Sequence, residues 1–74
     1  MNEELKLAFA RHYLDVSCNE LMWAIRCLQE TEFWESQPDA SVTLRAMYNS
    51  VVGVYHEVDE YIENKGRESR EGQT

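Results

Sequence analysis

The residues with the clearest chemical potential in this sequence are two histidines, two cysteines and fourteen acidic side chains. His12 stands three positions before Asp15. His56 stands three positions before Asp59 and four before Glu60, so each group can share one face of a helix. Neither a Cys-x-x-Cys nor a Glu-x-x-His motif completes them as metal sites. We interpret these residues as solvated and predict no metal and no other cofactor, which leaves a small metal-binding protein as the remotest alternative.

The cysteines also fail to indicate catalysis. Cys18 falls on a predicted buried stripe, where a thiol acts as a small apolar filler. Cys27 has no His or Lys nearby in the sequence to activate it. On one helix the two thiols would lie about 13 Å apart along the axis, too far for a disulfide. The glycines are isolated and form no phosphate-binding loop. The sequence therefore predicts a protein that is not an enzyme.

Net charge and hydropathy limit the class of partner and the compartment. Fourteen Asp and Glu against seven Lys and Arg give a formal charge of −7. A phosphate backbone or an anionic membrane surface repels such a chain, so we expect neither nucleic acid nor membrane as a partner. The acidic start lacks the basic and apolar regions of a secretory signal, and reduced thiols suit the cytoplasm. A protein with a basic surface is the complementary partner.

A cluster of aromatic and acidic residues in the middle of the chain predicts a contact site. Phe33 and Trp34 stand at the expected end of a helix, where acids oppose the macrodipole. Apolar anchors among carboxylates suit a basic surface with an apolar pocket. The candidate partner-binding residues are therefore Glu30, Glu32, Phe33, Trp34, Glu35 and Asp39. The structural alternative is that the two aromatics only close the end of a helical bundle.

The elements that must position these residues follow from apolar periodicity. Steps of three, four or seven residues define one apolar stripe in each half of the chain, as in amphipathic helices. The first stripe consists of Leu7, Leu14, Cys18, Leu21, Ile25 and Leu28. The second consists of Leu44, Tyr48, Val51, Tyr55, Val58 and Ile62. We predict helix 1 over about 3–33, a turn over about 34–41 and helix 2 over about 42–64.

Residues with capping and helix-breaking tendencies set these predicted boundaries. Asn2 can cap helix 1, and Pro38 disfavours helical geometry at the residue before it. Asp39 or Ser41 can cap helix 2, and Gly66 suits the cap at its end. The boundaries predict a hairpin domain over 1–65 and a disordered polar tail over 66–74.

Two alternatives concern the continuity of the helices. Ser17 and Glu20 have the spacing of a capping box, so helix 1 could break near residues 16–19. Gly53 and the valines around it lower helix propensity and could suit a strand. We favour continuous helices, because both stripes keep their phase through the doubtful segments and a lone strand would have no second strand to pair with.

The expected architecture is an all-α antiparallel helical hairpin that a second copy, or a helical partner, completes as a four-helix bundle. Association is expected because apolar side chains outside the stripes exceed what two helices can cover. The candidate dimer-interface residues are Phe9, Tyr13, Val16, Trp23, Met47, Val54 and Tyr61.

These features favour a small acidic interaction module or regulator that forms a homodimer and binds a basic protein surface. The alternative is a DNA-mimic inhibitor of a nuclease or DNA-binding protein, of the kind that a mobile element could encode. Rows of carboxylates at helical spacing can take the positions of phosphates on a duplex, which is the basis for this alternative.

Overall fold

Three helices make up the fold in the computed structural model, which describes the backbone of residues 2–71 and the side chains of residues 2–68. Helix α1 spans Glu3–Gln29, α2 spans Glu32–Ser36 and α3 spans Pro38–Glu71. The two long helices pack against each other along the hairpin, and α2 forms the turn between them. No strand occurs among the described residues, which confirms the prediction of an all-α hairpin.

The start of α1 is capped as its sequence predicts. Asn2 has an extended backbone, and its side-chain oxygen accepts a hydrogen bond of 2.8 Å from the backbone N–H of Leu5. Glu3 and Glu4 occupy the first turn, where the helix dipole favours negative charge. The helix then continues through Ser17 without a break, because its apolar stripe packs on α3 both before and after this segment.

The helix boundaries around the turn differ from the predicted ones. Helix α1 ends at Gln29, because the carbonyl oxygen of Leu28 accepts hydrogen bonds from Thr31, at 3.0 Å from the backbone N–H and 2.6 Å from the hydroxyl. Helix α3 begins at Pro38, a residue well suited to a first helical position, where an N–H would have no partner inside the helix. Gln37 is non-helical, with φ −128° and ψ 71°, as expected before a proline.

The capping residues predicted for helix 2 lie inside α3. Asp39 falls in its first turn, and the Ser41 hydroxyl donates to the Pro38 carbonyl at 2.9 Å. At the other end, Gly66 does not adopt a positive φ, and the helix continues to Glu71. Lys, Arg and Glu are good helix formers, so a polar sequence can extend the helix. Residues 66–71 of the predicted tail are therefore helical, and residues 72–74 lie outside the described part.

The two apolar stripes face each other and form the seam of the hairpin. All twelve stripe residues are half-buried, but no residue among those with described side chains is fully buried. Nine large apolar side chains are exposed, which are Leu5, Phe9, Tyr13, Trp23, Phe33, Val42, Met47, Val54 and Tyr61. The hairpin thus has a seam without an enclosed core.

The shape of the molecule follows from this two-helix packing. It measures 60 × 19 × 15 Å, with a radius of gyration of 17.2 Å. A compact domain of this length would have a radius of gyration of about 11 Å. The accessible surface is 5989 Å². A compact monomer of this mass would expose about 4,700 Å². The chain exposes roughly 1,250 Å² more than that reference.

Two polar contacts join the long helices near the open end of the hairpin. Arg11 Nη1 lies 3.0 Å from Asp59 Oδ1, and the Tyr61 hydroxyl donates to Glu3 Oε1 at 3.4 Å. The side chains of the ion pair are 38% and 33% exposed, so the pair contributes less than about 1 kcal/mol. Both contacts accompany the antiparallel register, which the apolar seam stabilises.

The segment of α3 around Gly53 is helical, so the strand alternative is not formed. A Cβ atom added at Gly53 would meet nothing within 4 Å, and the glycine has no positive φ. We expect Gly53→Ala to raise the free energy of unfolding by about 0.5–1 kcal/mol, because alanine loses less backbone entropy in a helix. Thermal unfolding at one fixed protein concentration measures the change.

The matched control for this substitution is Ala46→Gly, at an exposed position of the same helix. It should lower the free energy of unfolding by a similar amount. If Gly53→Ala left the free energy of unfolding unchanged or lowered it, Gly53 would not lie in an open helical environment.

Candidate protein-binding site

The short helix α2 holds the aromatic residues at the closed end of the hairpin, which we call the hairpin tip (residues 30–39). The backbone N–H of Trp34 donates to the carbonyl of Thr31 at 3.3 Å. The carbonyl of Phe33 accepts from the backbone N–H of Gln37 at 2.9 Å and from the hydroxyl of Ser36 at 3.2 Å. These bonds close a helical turn around the two aromatic residues.

The two aromatic side chains of the tip have different surroundings. Trp34 is half-buried, and the guanidinium carbon of Arg45 on α3 lies 5.6 Å from the centre of its ring. Cation–π contacts at this distance are favourable, and this one ties α2 to α3. Phe33 is 47% exposed. Trp34 therefore fits the structural alternative, in which an aromatic residue only closes the end of the helical bundle. Phe33 is available as an apolar anchor.

The acidic residues of the tip are all exposed, but most of them do not oppose a helix dipole. Glu32 is the first residue of α2, and Asp39 lies in the first turn of α3, where negative charge is favourable. The five-residue α2 is too short to separate its two ends, so Glu35 is neither favoured nor opposed, and the dipole argument from the sequence holds only for Glu30, which directly follows α1. Among the described side chains, none of the four acids forms an ion pair. Their carboxylates remain available to a cationic partner.

The predicted dimer-interface residues do not form one continuous surface. Phe9, Val16 and Trp23 lie seven residues apart along the side of α1 that faces away from α3. On α3, Met47, Val54 and Tyr61 also lie seven apart, in a line beside the seam. The seventh candidate, Tyr13, is exposed between these regions, and Val16 alone among the seven is half-buried.

A groove between α1 and α3 near the tip was not anticipated from the sequence. Its apolar lining comes from Met22, Ile25 and Tyr48, with Arg26 and Arg45 beside them. Arg26 stacks on Trp23 at 5.6 Å from the ring centre, in the same way that Arg45 stacks on Trp34. The only sequence signal for this arrangement is the spacing of three residues between Trp23 and Arg26, which places them on one helix face.

Histidine, cysteine and acidic side chains are the groups of this chain that could bind a metal ion or take part in catalysis. No group of three or more His, Cys, Asp or Glu side chains converges among the described residues. His12 and Asp15 border a shallow depression that also contains Arg11, whose positive charge disfavours a bound cation. Cys18 is half-buried and Cys27 exposed, and both are free thiols.

Within the described part of the chain, no helix combines the length and the apolar character that crossing a bilayer requires.

Comparison with known proteins found no family model, no curated protein and no solved structure that matches this chain.

The different surroundings of the two tip aromatics predict different effects on stability. We expect Trp34→Ala to lower the free energy of unfolding by about 1–2 kcal/mol, because it removes packing and the contact with Arg45. Phe33→Ala should change it by less than about 0.5 kcal/mol, as is usual for exposed positions. Urea unfolding at equal protein concentration compares the two variants.

A double-mutant cycle with Arg45→Met isolates the cation–π contribution. A coupling of about 0.5 kcal/mol or more between residues 34 and 45 would support the contact. Equal destabilisation by both alanine variants, with no coupling to Arg45, would show that Trp34 does not pack on α3 in solution.

Proposed function

We propose that this protein is a small, acidic, non-catalytic interaction module or regulator that associates with itself and binds a basic protein through its hairpin tip. One observation carries the proposal. Residues 2–68 contain no buried side chain, while nine large apolar side chains are exposed. A folded domain gains most of its stability from apolar burial, so a chain with this surface is suited to complete its core by association.

The area of the exposed surface supports association between two hairpins. Each partner in a stable protein–protein interface typically loses about 800 Å² of accessible surface. The surface that this chain exposes beyond a compact monomer, roughly 1,250 Å², is sufficient for such an interface. Two antiparallel hairpins would then form a four-helix bundle, in which the half-buried seam of each copy becomes part of a common core.

The tip combines the features of a contact site for a basic protein. Phe33 supplies an exposed apolar anchor, and Glu30, Glu32, Glu35 and Asp39 supply unpaired carboxylates. The formal charge of −7 attracts a cationic partner before contact. Burial of an aromatic anchor then contributes more to affinity than the charges at the rim. The two free thiols suit the reducing cytoplasm as the compartment of this function.

A DNA-mimic inhibitor is the second candidate function, and the exposed acids on α3 favour it. Glu57, Glu60 and Glu63 are exposed along the second half of this helix. Their carboxylates could occupy positions that phosphates take in the basic groove of a nuclease or DNA-binding protein. In this function the contact surface would be the side of α3 and not the tip.

Affinity capture tests the tip as the contact site. The tagged full chain should capture a basic protein from a lysate of its source cell, with mass spectrometry as the readout. The double variant Phe33→Ala, Glu32→Lys should lose this partner, because it removes the anchor and reverses one charge. Circular dichroism should show unchanged helicity.

The matched control is Glu60→Lys, which makes the same charge change on the exposed side of α3. It should leave capture intact if the tip is the contact site, and should weaken capture if the protein mimics DNA. Equal capture by the tip variant and the unchanged protein would refute the tip as a contact site.

The salt dependence of binding separates the two functions further. An aromatic-anchored contact should weaken less than about tenfold between 50 and 200 mM salt, because burial of apolar surface is not screened. A DNA mimic should lose binding steeply over this range and be displaced by duplex DNA. Calorimetric titration of the captured partner at several salt concentrations measures both effects.

A further inference from the structure

Residues seven apart on a helix lie nearly in line, with a drift of about 20° per seven residues. On α1, such a line contains Ala10, Ser17 and Ala24, and it continues at its N-terminal end to Glu3. We call it the small-residue line. On α3, the corresponding line contains Met47, Val54 and Tyr61, and we call it the α3 apolar line.

The two lines lie on the same side of the hairpin. The hydroxyl of Tyr61 donates to Glu3 Oε1 at 3.4 Å, which joins the end of the α3 apolar line to the end of the small-residue line. On α1, Ala10 lies on one side of the seam residue Leu14, and Arg11 lies on the other side. Because Arg11 forms its ion pair with Asp59, this pair lies on the side of the hairpin opposite to the two lines. Together the two lines form one surface, which we call the alanine face.

The alanine face lacks charge over most of its length. Between Glu3 and Ala24, and between Met47 and Tyr61, neither line contains a charged residue, although charged residues make up 28% of the chain. The three α3 side chains are 44–48% exposed, and Ala10 and Ala24 are exposed as well. The opposite side bears Arg11, Asp59 and the arginine-flanked groove. The charges on this face lie at its open end, where Glu3 accepts from Tyr61 and the Lys65 ammonium lies 5.6 Å from the centre of the Tyr61 ring. The rest of the two lines offers a basic partner no charge to recognise.

The side-chain sizes on this face favour a second copy of the same chain as its occupant. The small-residue line carries only Ala10, Ser17 and Ala24, whereas the α3 apolar line beside it carries the larger side chains of Met47, Val54 and Tyr61. In a contact with twofold symmetry, each copy can place its α3 apolar line over the small-residue line of the other copy. Alternation of large and small side chains across an interface permits close packing of helices. The face is therefore complementary to itself.

We infer that two copies of this chain pack through their alanine faces, and that the hairpin tips and the outer side of α1 stay uncovered. The inference rests on the proposed self-association and specifies the surface that performs it. Of the seven interface residues predicted from the sequence, Met47, Val54 and Tyr61 lie in the contact, whereas Phe9, Val16 and Trp23 lie outside it. The seventh, Tyr13, stands three residues after Ala10 and borders the contact.

Sedimentation equilibrium of the full chain tests this inference. The unchanged protein should have twice its monomer mass of 8.7 kDa. Ala24→Glu should raise the dimer dissociation constant by roughly a hundredfold or more, because twofold symmetry buries two unpaired carboxylates. The matched control Ala46→Glu makes the same substitution at an exposed position of α3 outside the face, and should leave the constant within about threefold.

A second measurement uses the unchanged protein and does not depend on the folding of a variant. Cys27 is exposed on the outer side of α1, near Trp23. In a dimer through the alanine faces its thiol should react with a maleimide at the same rate at concentrations above and below the dissociation constant. Mass spectrometry assigns the modified cysteine.

The outcomes of these measurements test the alanine face and the proposed self-association separately. A monomer at all concentrations would refute self-association itself. A dimer that tolerates Ala24→Glu but is disrupted by Trp23→Glu, with Cys27 protected from the maleimide, would preserve self-association and refute the alanine face as its surface.

Discussion

The structure depends on one geometric constraint, which is that two helices share a single line of contact. Each stripe residue can be covered by the other helix on one side only, so all twelve stay half-buried. Nine large apolar side chains outside the stripes stay exposed. A third and a fourth helix would remove this constraint, because a bundle surrounds its central side chains. The elongated shape and the proposed association have this common origin.

Charge is distributed unevenly around this hairpin, and the distribution separates its surfaces. The alanine face carries no charge over most of its length, the opposite side carries arginines, and the tip carries unpaired carboxylates. A second copy and a basic partner would therefore use different surfaces. In the proposed function, binding at the tip need not compete with the association of two hairpins.

The tip shows how one local helix divides the roles of adjacent aromatic residues. Helix α2 turns Trp34 toward Arg45 on α3, where the stacked guanidinium contributes to the closure of the hairpin. The neighbouring Phe33 is left exposed, since successive residues on a helix point in directions about 100° apart. In the proposed function, stability and recognition therefore fall to different side chains of the same turn.

The sequence by itself determined the helices and the seam, because apolar periodicity and the Asn2 cap are local properties of the chain. It also indicated that apolar surface would remain. It did not determine where α1 ends. The helix could stop at Thr31, whose hydroxyl donates to the Leu28 carbonyl, or continue toward Pro38, and the packing of α2 decides between the two. Only the tertiary structure decided which apolar lines share a side, because the rotation of each helix about its axis is set by the packing of α1 on α3.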